Sequence, residues 1–163
     1  MSQGVPVLTS AEAVAAARTL AEDFAEGAAE RDRSRTLPYD QVKALAASGL
    51  LAITVPEEHG GADLPVETLV EVFRLLGWGD PNIAQIPHSH FVYLNQLRLR
   101  GTHDQQARIY AEVLRGKAVA NAQSEFGTKH VRDFKTTLTP DGEGTWRLNG
   151  DKFYCTGSLF ADY

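Results

Sequence analysis

The chain has 163 residues, 43% hydrophobic and 23% charged, with a formal net charge of -5 at neutral pH. Those proportions are ordinary for a water-soluble chain with a core of its own, since a domain of this size buries roughly 70% of its unfolded surface. The acidic balance argues against a nucleic acid or an anionic membrane as partner, because both need concentrated Lys and Arg, and the single cysteine, Cys155, excludes an internal disulfide or a Cys-rich zinc site.

Met1 to Ser10 lacks the basic start and apolar run of a secretory signal, so a cytoplasmic address is expected. Thr9 and Glu12 form a capping-box pair in front of an alanine-rich helix. Its apolar face is predicted from Ala13, Ala17, Leu20, Phe24 and Ala28. Pro38 opens a second helix and Gly49 closes it, with Val42, Leu45 and Ala46 inward. Leu50 to Val55 reads as a short apolar crossing, and Gly49 to Val55 is too short to span a bilayer. Pro56-Glu57-Glu58-His59-Gly60-Gly61 is a polar turn.

Pro65 then opens a third helix whose apolar stripe includes Val66, Leu69, Val70, Phe73 and Leu76; Gly77 and Gly79 close it. Asp80-Pro81 starts a fourth helix that runs to about Arg100. Pro87 predicts a kink inside it, because proline removes a backbone hydrogen bond and crowds the preceding turn. Thr102 with Gln105 caps a fifth helix, which Gly116 ends.

After Gly116 the pattern changes. Ala118 to Ser124 looks extended, and Phe134 to Thr139 alternates weakly. Asp141-Gly142-Glu143-Gly144 reads as a loop and Thr145 to Leu148 as a strand. Asn149-Gly150 is a two-residue hairpin signal with Lys152 to Thr156 as the returning strand. The expected fold class is α+β, with helices over residues 1–117 and strands over 118–163; helices followed by strands exclude an alternating doubly wound nucleotide fold.

Few residues single themselves out chemically. His88 and His90 are two apart, so on a helix they point to different faces and do not share a metal ion; no metal site is expected. Glu57 and Glu58 read as a solvated turn. Nothing nearby marks the Cys155 thiol as activated. Gly142-x-Gly144 lacks the third glycine of a dinucleotide-binding loop.

Three stretches in fixed order carry a family resemblance. Ser48 to Gly61 resembles the helix-to-loop signature of acyl-CoA dehydrogenases. Ala122-Gln123-Ser124-Glu125 stands where that superfamily has its flavin-contacting Thr-Glu-Pro strand. Leu148-Asn149-Gly150-Asp151-Lys152-Phe153-Tyr154-Cys155-Thr156-Gly157 is similar to its Asn-Gly-x-Lys-x-Trp hairpin. The segment after Glu125, Phe126-Gly127-Thr128-Lys129-His130-Val131, departs from the Pro-Gly-Ala-Gly-Ser-Asp pattern beside the acyl-CoA thioester, which puts acyl-CoA as substrate in doubt. Phe153 to Asp162, with Ala84 to Phe91, resembles the branch of sulfur-acquisition oxidoreductases and dibenzothiophene monooxygenase-like enzymes.

The resemblance implies an acyl-CoA dehydrogenase-like fold, a bundle of about five helices followed by the first strands of a β-barrel-like middle domain, with a C-terminal helical bundle to be supplied from beyond Tyr163. On that expectation the open barrel edge leaves this segment prone to instability or aggregation. The resemblance also implies flavin, FMN or FAD. It places Gln123 and Ser124 at the isoalloxazine ring, Thr156 near its N5 and Tyr154 against its face; on pattern alone these are ordinary strand residues. His90 and Tyr93 share a helix face, and His90 with Tyr93 is the expected catalytic pair facing the flavin, the alternative being a helix histidine that meets a carbonyl or solvent. Glu125 is expected to tie the strand to neighbouring backbone. Lys129, His130 and Arg132 form a small basic cluster that suits a flavin phosphate or a solvated loop equally. The implied activity is oxidation of a small organosulfur molecule with reduced flavin and oxygen. A separate flavin reductase is the implied partner and a homo-oligomer the implied assembly. An FAD-dependent acyl-CoA dehydrogenase and a non-catalytic helical interaction module are the alternatives.

Overall fold

The sixteen residues of α1, Ser10–Ala25, start where the capping box predicts: the Thr9 hydroxyl accepts from the Glu12 N–H, and the Glu12 carboxylate accepts from the Thr9 N–H at 2.8 Å. The computed structural model describes residues 4–127, 129–130, 133–142 and 144–163; Met1, Thr128, Val131, Arg132 and Glu143, which enter the sequence reading, lie outside them. Among the described residues there are seven α-helices and two strands.

Ala13, Ala17, Ala21 and Phe24 of α1 are buried against α4, Val66–Gly79. Small side chains bring the two backbones close. A Cβ on Gly79 would fall on the Ala21 carbonyl oxygen, so only glycine fits at that crossing. Leu45 of α3 (Tyr39–Ala47), Leu50, Leu51 and Ile53 of the crossing, and Ile83 and Ala84 of α5 (Pro81–Gln85) complete the main core. A second cluster joins Ala52 and Val55 to Leu94 of α6 (His88–Arg100) and to Tyr110 and Val113 of α7 (His103–Val113).

Several expectations are corrected here. The first helix does not reach Ala28. Gly27 adopts φ 72 and breaks the chain, and Ala28–Ser34 form a separate α2. Arg31 of α2 holds it in place by donating to the Phe24 and Glu26 carbonyls and to the buried Asp80 carboxylate at 2.9 Å. Pro87 ends α5 outright and α6 begins at His88, so the predicted kink is a break. On α4 the buried residues are Thr68, Val72, Leu75, Leu76 and Gly79, while Val66 and Val70 are 64% and 61% exposed. Leu50 to Val55, the expected apolar crossing, carries a short 3-10 turn at Leu50–Ala52.

Beyond α7 the chain is extended. Strand β1, Thr137–Pro140, pairs antiparallel with β2, Trp146–Asn149, in the register Thr137 opposite Asn149. The turn lies between them, where Gly142 and Gly144 take positive φ, and not at Asn149-Gly150. Residues 152–156 therefore do not fold back on β2. They run beside Ser124, whose carbonyl accepts the Phe153 N–H at 2.9 Å. Both strands are exposed along their length, Trp146 by 61% and Leu148 by 72%.

Candidate functional site

The site grows from one face of α6. His90 and Tyr93 stand three residues apart, one turn of helix, and both reach the chain that follows α7. His90 is 1% exposed. Its Nε2 lies 2.8 Å from the Leu51 carbonyl oxygen, and its Nδ1 accepts the Val119 N–H at 3.1 Å. A carbonyl is only an acceptor and an N–H only a donor, so the ring is neutral with its proton on Nε2. Burial pushes its pKa from 6.5 down to about 4, against a smaller upward pull from the bond to Leu51. With both nitrogens engaged by backbone, neither is free for a bound molecule in this arrangement.

Tyr93 is half-buried and donates its hydroxyl to Asn121 Oδ1 at 3.2 Å. The same oxygen accepts the Gln123 N–H at 2.9 Å, an Asx turn that shapes the segment leading to Ser124. Asn121 was missed from the sequence; its signal was an Asn two residues before Gln123, a spacing that favours such a turn.

Residues 121–125 and 152–156 lie side by side in opposite directions. The Asn121 N–H points to the Thr156 carbonyl at 3.5 Å, and Phe153 N–H bonds to Ser124. Lys152 fastens the pair, reaching the Gln123 carbonyl at 3.2 Å and Glu125 Oε1 at 2.7 Å. Glu125 also accepts from the Lys135 N–H at 2.6 Å and from the Thr136 N–H at 3.0 Å, the tie to neighbouring backbone expected of it. The Lys152 ammonium, then the Thr136 hydroxyl and the backbone N–H donors, hold its pKa down at about 2. Tyr154 is 82% exposed with φ 54, unusual for an aromatic residue, and its carbonyl accepts the Thr156 N–H at 3.0 Å in a tight turn where a strand was predicted.

Gln123, Ser124, Tyr154 and Thr156 are thus brought onto two adjacent segments, with Tyr93 at one end through Asn121. A flavin ring presents in-plane acceptors and a broad apolar face. Two hydroxyls, one amide and an exposed aromatic ring fit that chemistry, and Gln123 and Ser124 are exposed. Other candidates lie elsewhere. His88 lines a cavity of about 560 Å³ between α4 and α6 with Phe91, Val92 and Asn95, on a different face of α6 from Tyr93. Glu57 and Glu58 are exposed. Lys129 is exposed and its N–H is turned to Asp133, while Arg132 lies outside the described residues. Among the described residues no group of His, Cys, Asp and Glu is placed to hold a metal ion, and no helix is long and apolar enough to cross a membrane.

A helical layer followed by exposed extended segments defines an α+β chain. Residues 10–117 match the acyl-CoA dehydrogenase N-terminal domain, and the chain belongs to that family. It is 34% identical over 150 residues to a dibenzothiophene monooxygenase of Rhodococcus qingshengii, which covers 91% of this chain and 36% of that protein. FMN-bound TdsC from Paenibacillus sp. A11-2 superimposes with a TM-score of 0.84 at 31% identity, over 92% of this chain and 38% of that one. The methanesulfinate monooxygenase MsuC from Pseudomonas fluorescens does so with a TM-score of 0.75 at 28% identity, over 87% and 35%. The chain therefore spans little more than a third of the length of the proteins it resembles.

Proposed function

We propose that this chain forms the helical and flavin-facing part of an oxidoreductase that uses reduced flavin and oxygen to oxidise a small organosulfur compound. The observation that carries the reading is the likeness to FMN-bound TdsC over 92% of the chain. The same likeness favours FMN over FAD. Bound flavin supplies the reducing electrons and the site of oxygen activation.

The chain's own residues supply placement. Ser124 and Thr156 offer hydroxyls to the ring edge, Gln123 an amide, and Tyr154 an apolar face. Tyr93, oriented by Asn121, is the group placed to hold or pass a proton beside the ring. We place the division between the helical and flavin-facing parts at Lys117. A separate reductase that delivers reduced flavin, a homo-oligomeric assembly and a cytoplasmic setting complete the proposal.

The test is titration of the full-length protein with FMN, followed by Ser124→Ala and Thr156→Ala. Saturable binding weakened about tenfold by either variant supports the reading, as expected for loss of one or two hydrogen bonds to a desolvated ring. Variants that bind FMN like the parent, or a parent that binds none, contradict it.

A further inference from the structure

The segment that enters the site has an unusual way of satisfying its backbone. The Ala118 N–H donates to the Asp162 carboxylate at 3.0 Å and the Ala120 N–H to the Tyr163 carbonyl at 2.8 Å. Val119, between them, faces the other way, as alternate residues of an extended chain do. On that side lies helix α6. A backbone N–H withdrawn from water without an acceptor is destabilising. His90 Nδ1 supplies the acceptor at 3.1 Å.

The opposite nitrogen determines that Nδ1 is an acceptor. Nε2 gives its proton to the Leu51 carbonyl, which leaves the Nδ1 lone pair bare for Val119. One turn along α6, Tyr93 takes Asn121. Two residues of an extended chain advance about 6–7 Å and three of a helix about 4.5 Å, so the two elements run close enough in step for a two-point clamp. Ser124 follows three residues later.

We propose that His90 is a positioning residue that registers the 119–124 segment on α6, and so sets where Ser124 and the Tyr93–Asn121 pair meet the flavin, without itself touching it. This rests on the flavin reading above for its ligand, though not for its geometry. An imidazole alone among common side chains offers one donor and one acceptor on a rigid frame at this depth; glutamine offers the same pair on a flexible one, and leucine neither.

The experiment compares the full-length protein with His90→Leu and His90→Gln by amide hydrogen exchange, FMN titration and thermal melting. His90→Leu is expected to speed Val119 exchange and raise the FMN Kd, each by about tenfold, with His90→Gln returning both to within about threefold of the parent. A His90→Leu protein that melts earlier yet keeps the parent FMN Kd overturns the proposal, because it shows a contribution to stability alone. So does a direct magnetisation transfer from FMN to the His90 ring. Where His90→Leu does not fold, the ring nitrogen spectrum of the parent decides: a proton on Nε2 coupled to an accepting Nδ1 supports the clamp, and the opposite tautomer overturns it. A parent that binds no FMN sinks the flavin reading, and the registering role is then upheld or overturned by Val119 exchange alone.

Discussion

The ammonium of Lys152 lies 2.7 Å from Oε1 of Glu125, joining two segments 27 residues apart in the chain. Glu125 in turn gathers the Lys135 and Thr136 N–H groups, so one carboxylate ties three stretches around the candidate flavin site. The carboxylate must be ionised to do so.

That requirement gives a pH dependence. The folded pKa of Glu125, about 2, lies below the ordinary 4.5, so the unfolded chain takes up its proton first as pH falls. The stabilisation is complete above pH 4.5 and disappears as pH falls towards 2. A carboxyl NMR titration is expected to place the Glu125 midpoint near 2. Lys152→Met is expected to move it up towards the ordinary range; an unmoved midpoint would show that the lysine contact is not made in solution.

His90 predicts a second window, at higher pH. Its folded pKa of about 4 lies below 6.5, so the folded state prefers the neutral ring and the unfolded state takes the proton more readily. The contribution is complete above pH 6.5 and declines down to about pH 4, by an amount on the order of 3 kcal/mol. Urea unfolding followed from pH 7 to pH 4 is expected to show this slope, flattened in His90→Leu. A parent and variant with parallel slopes would place the sensitivity elsewhere.

Asp80 is 2% exposed and serves two partners at once. It caps α5 through the Asn82 and Ile83 N–H groups and pairs with Arg31 at 2.9 Å. Asp80→Ala strands a nearly buried guanidinium and uncaps the helix, so a loss of about 3–5 kcal/mol is expected in urea unfolding. A loss below about 1 kcal/mol would mean that solvent reaches Arg31 freely.

Two glycines of α4 are expected to respond with opposite sign. A Cβ on Gly77 meets only the Ala84 Cβ at 4.0 Å, so Gly77→Ala keeps the helix-propensity gain of up to about 1 kcal/mol. A Cβ on Gly79 meets the Ala21 backbone, which does not yield as a side chain does. There the overpacking cost of about 1–3 kcal/mol outweighs propensity, and Gly79→Ala lowers the melting temperature. Equal shifts in both variants would contradict the close approach of α1 and α4.

What was legible in the sequence was local. The Thr9–Glu12 and Thr102–Gln105 boxes and the Asp80-Pro81 start each place a helix end within a few residues, because the partners are neighbours in the chain. The apolar stripe on α4 was visible, but not that Val66 and Val70 remain open to solvent while Val72 and Leu75 are covered, since neighbouring elements decide that. Asn149-Gly150 carried the stronger turn chemistry, yet the hairpin closes at Gly142 and Gly144; Lys152, fastened to Gln123 and Glu125, lies beside 121–125 and not back along β2. The spacing of His90 and Tyr93 gave a shared face but not its partners, because Val119 and Asn121 are 29 and 28 residues away. Gln123, Ser124, Tyr154 and Thr156 are candidates through resemblance alone, and their adjacency, set by contacts such as Phe153 N–H to the Ser124 carbonyl, is not legible in the sequence.

The central claim is oxidation of an organosulfur compound by reduced flavin and oxygen. Its most direct test is incubation of the full-length protein with chemically reduced FMN, labelled oxygen gas and dibenzothiophene. The account predicts a sulfur-oxidised product that carries the label in an amount well above reduced FMN alone, and its loss in Ser124→Ala. Product no greater than the flavin-only background, together with anaerobic bleaching of bound FAD by an acyl-CoA, would contradict it and return the chain to dehydrogenase chemistry.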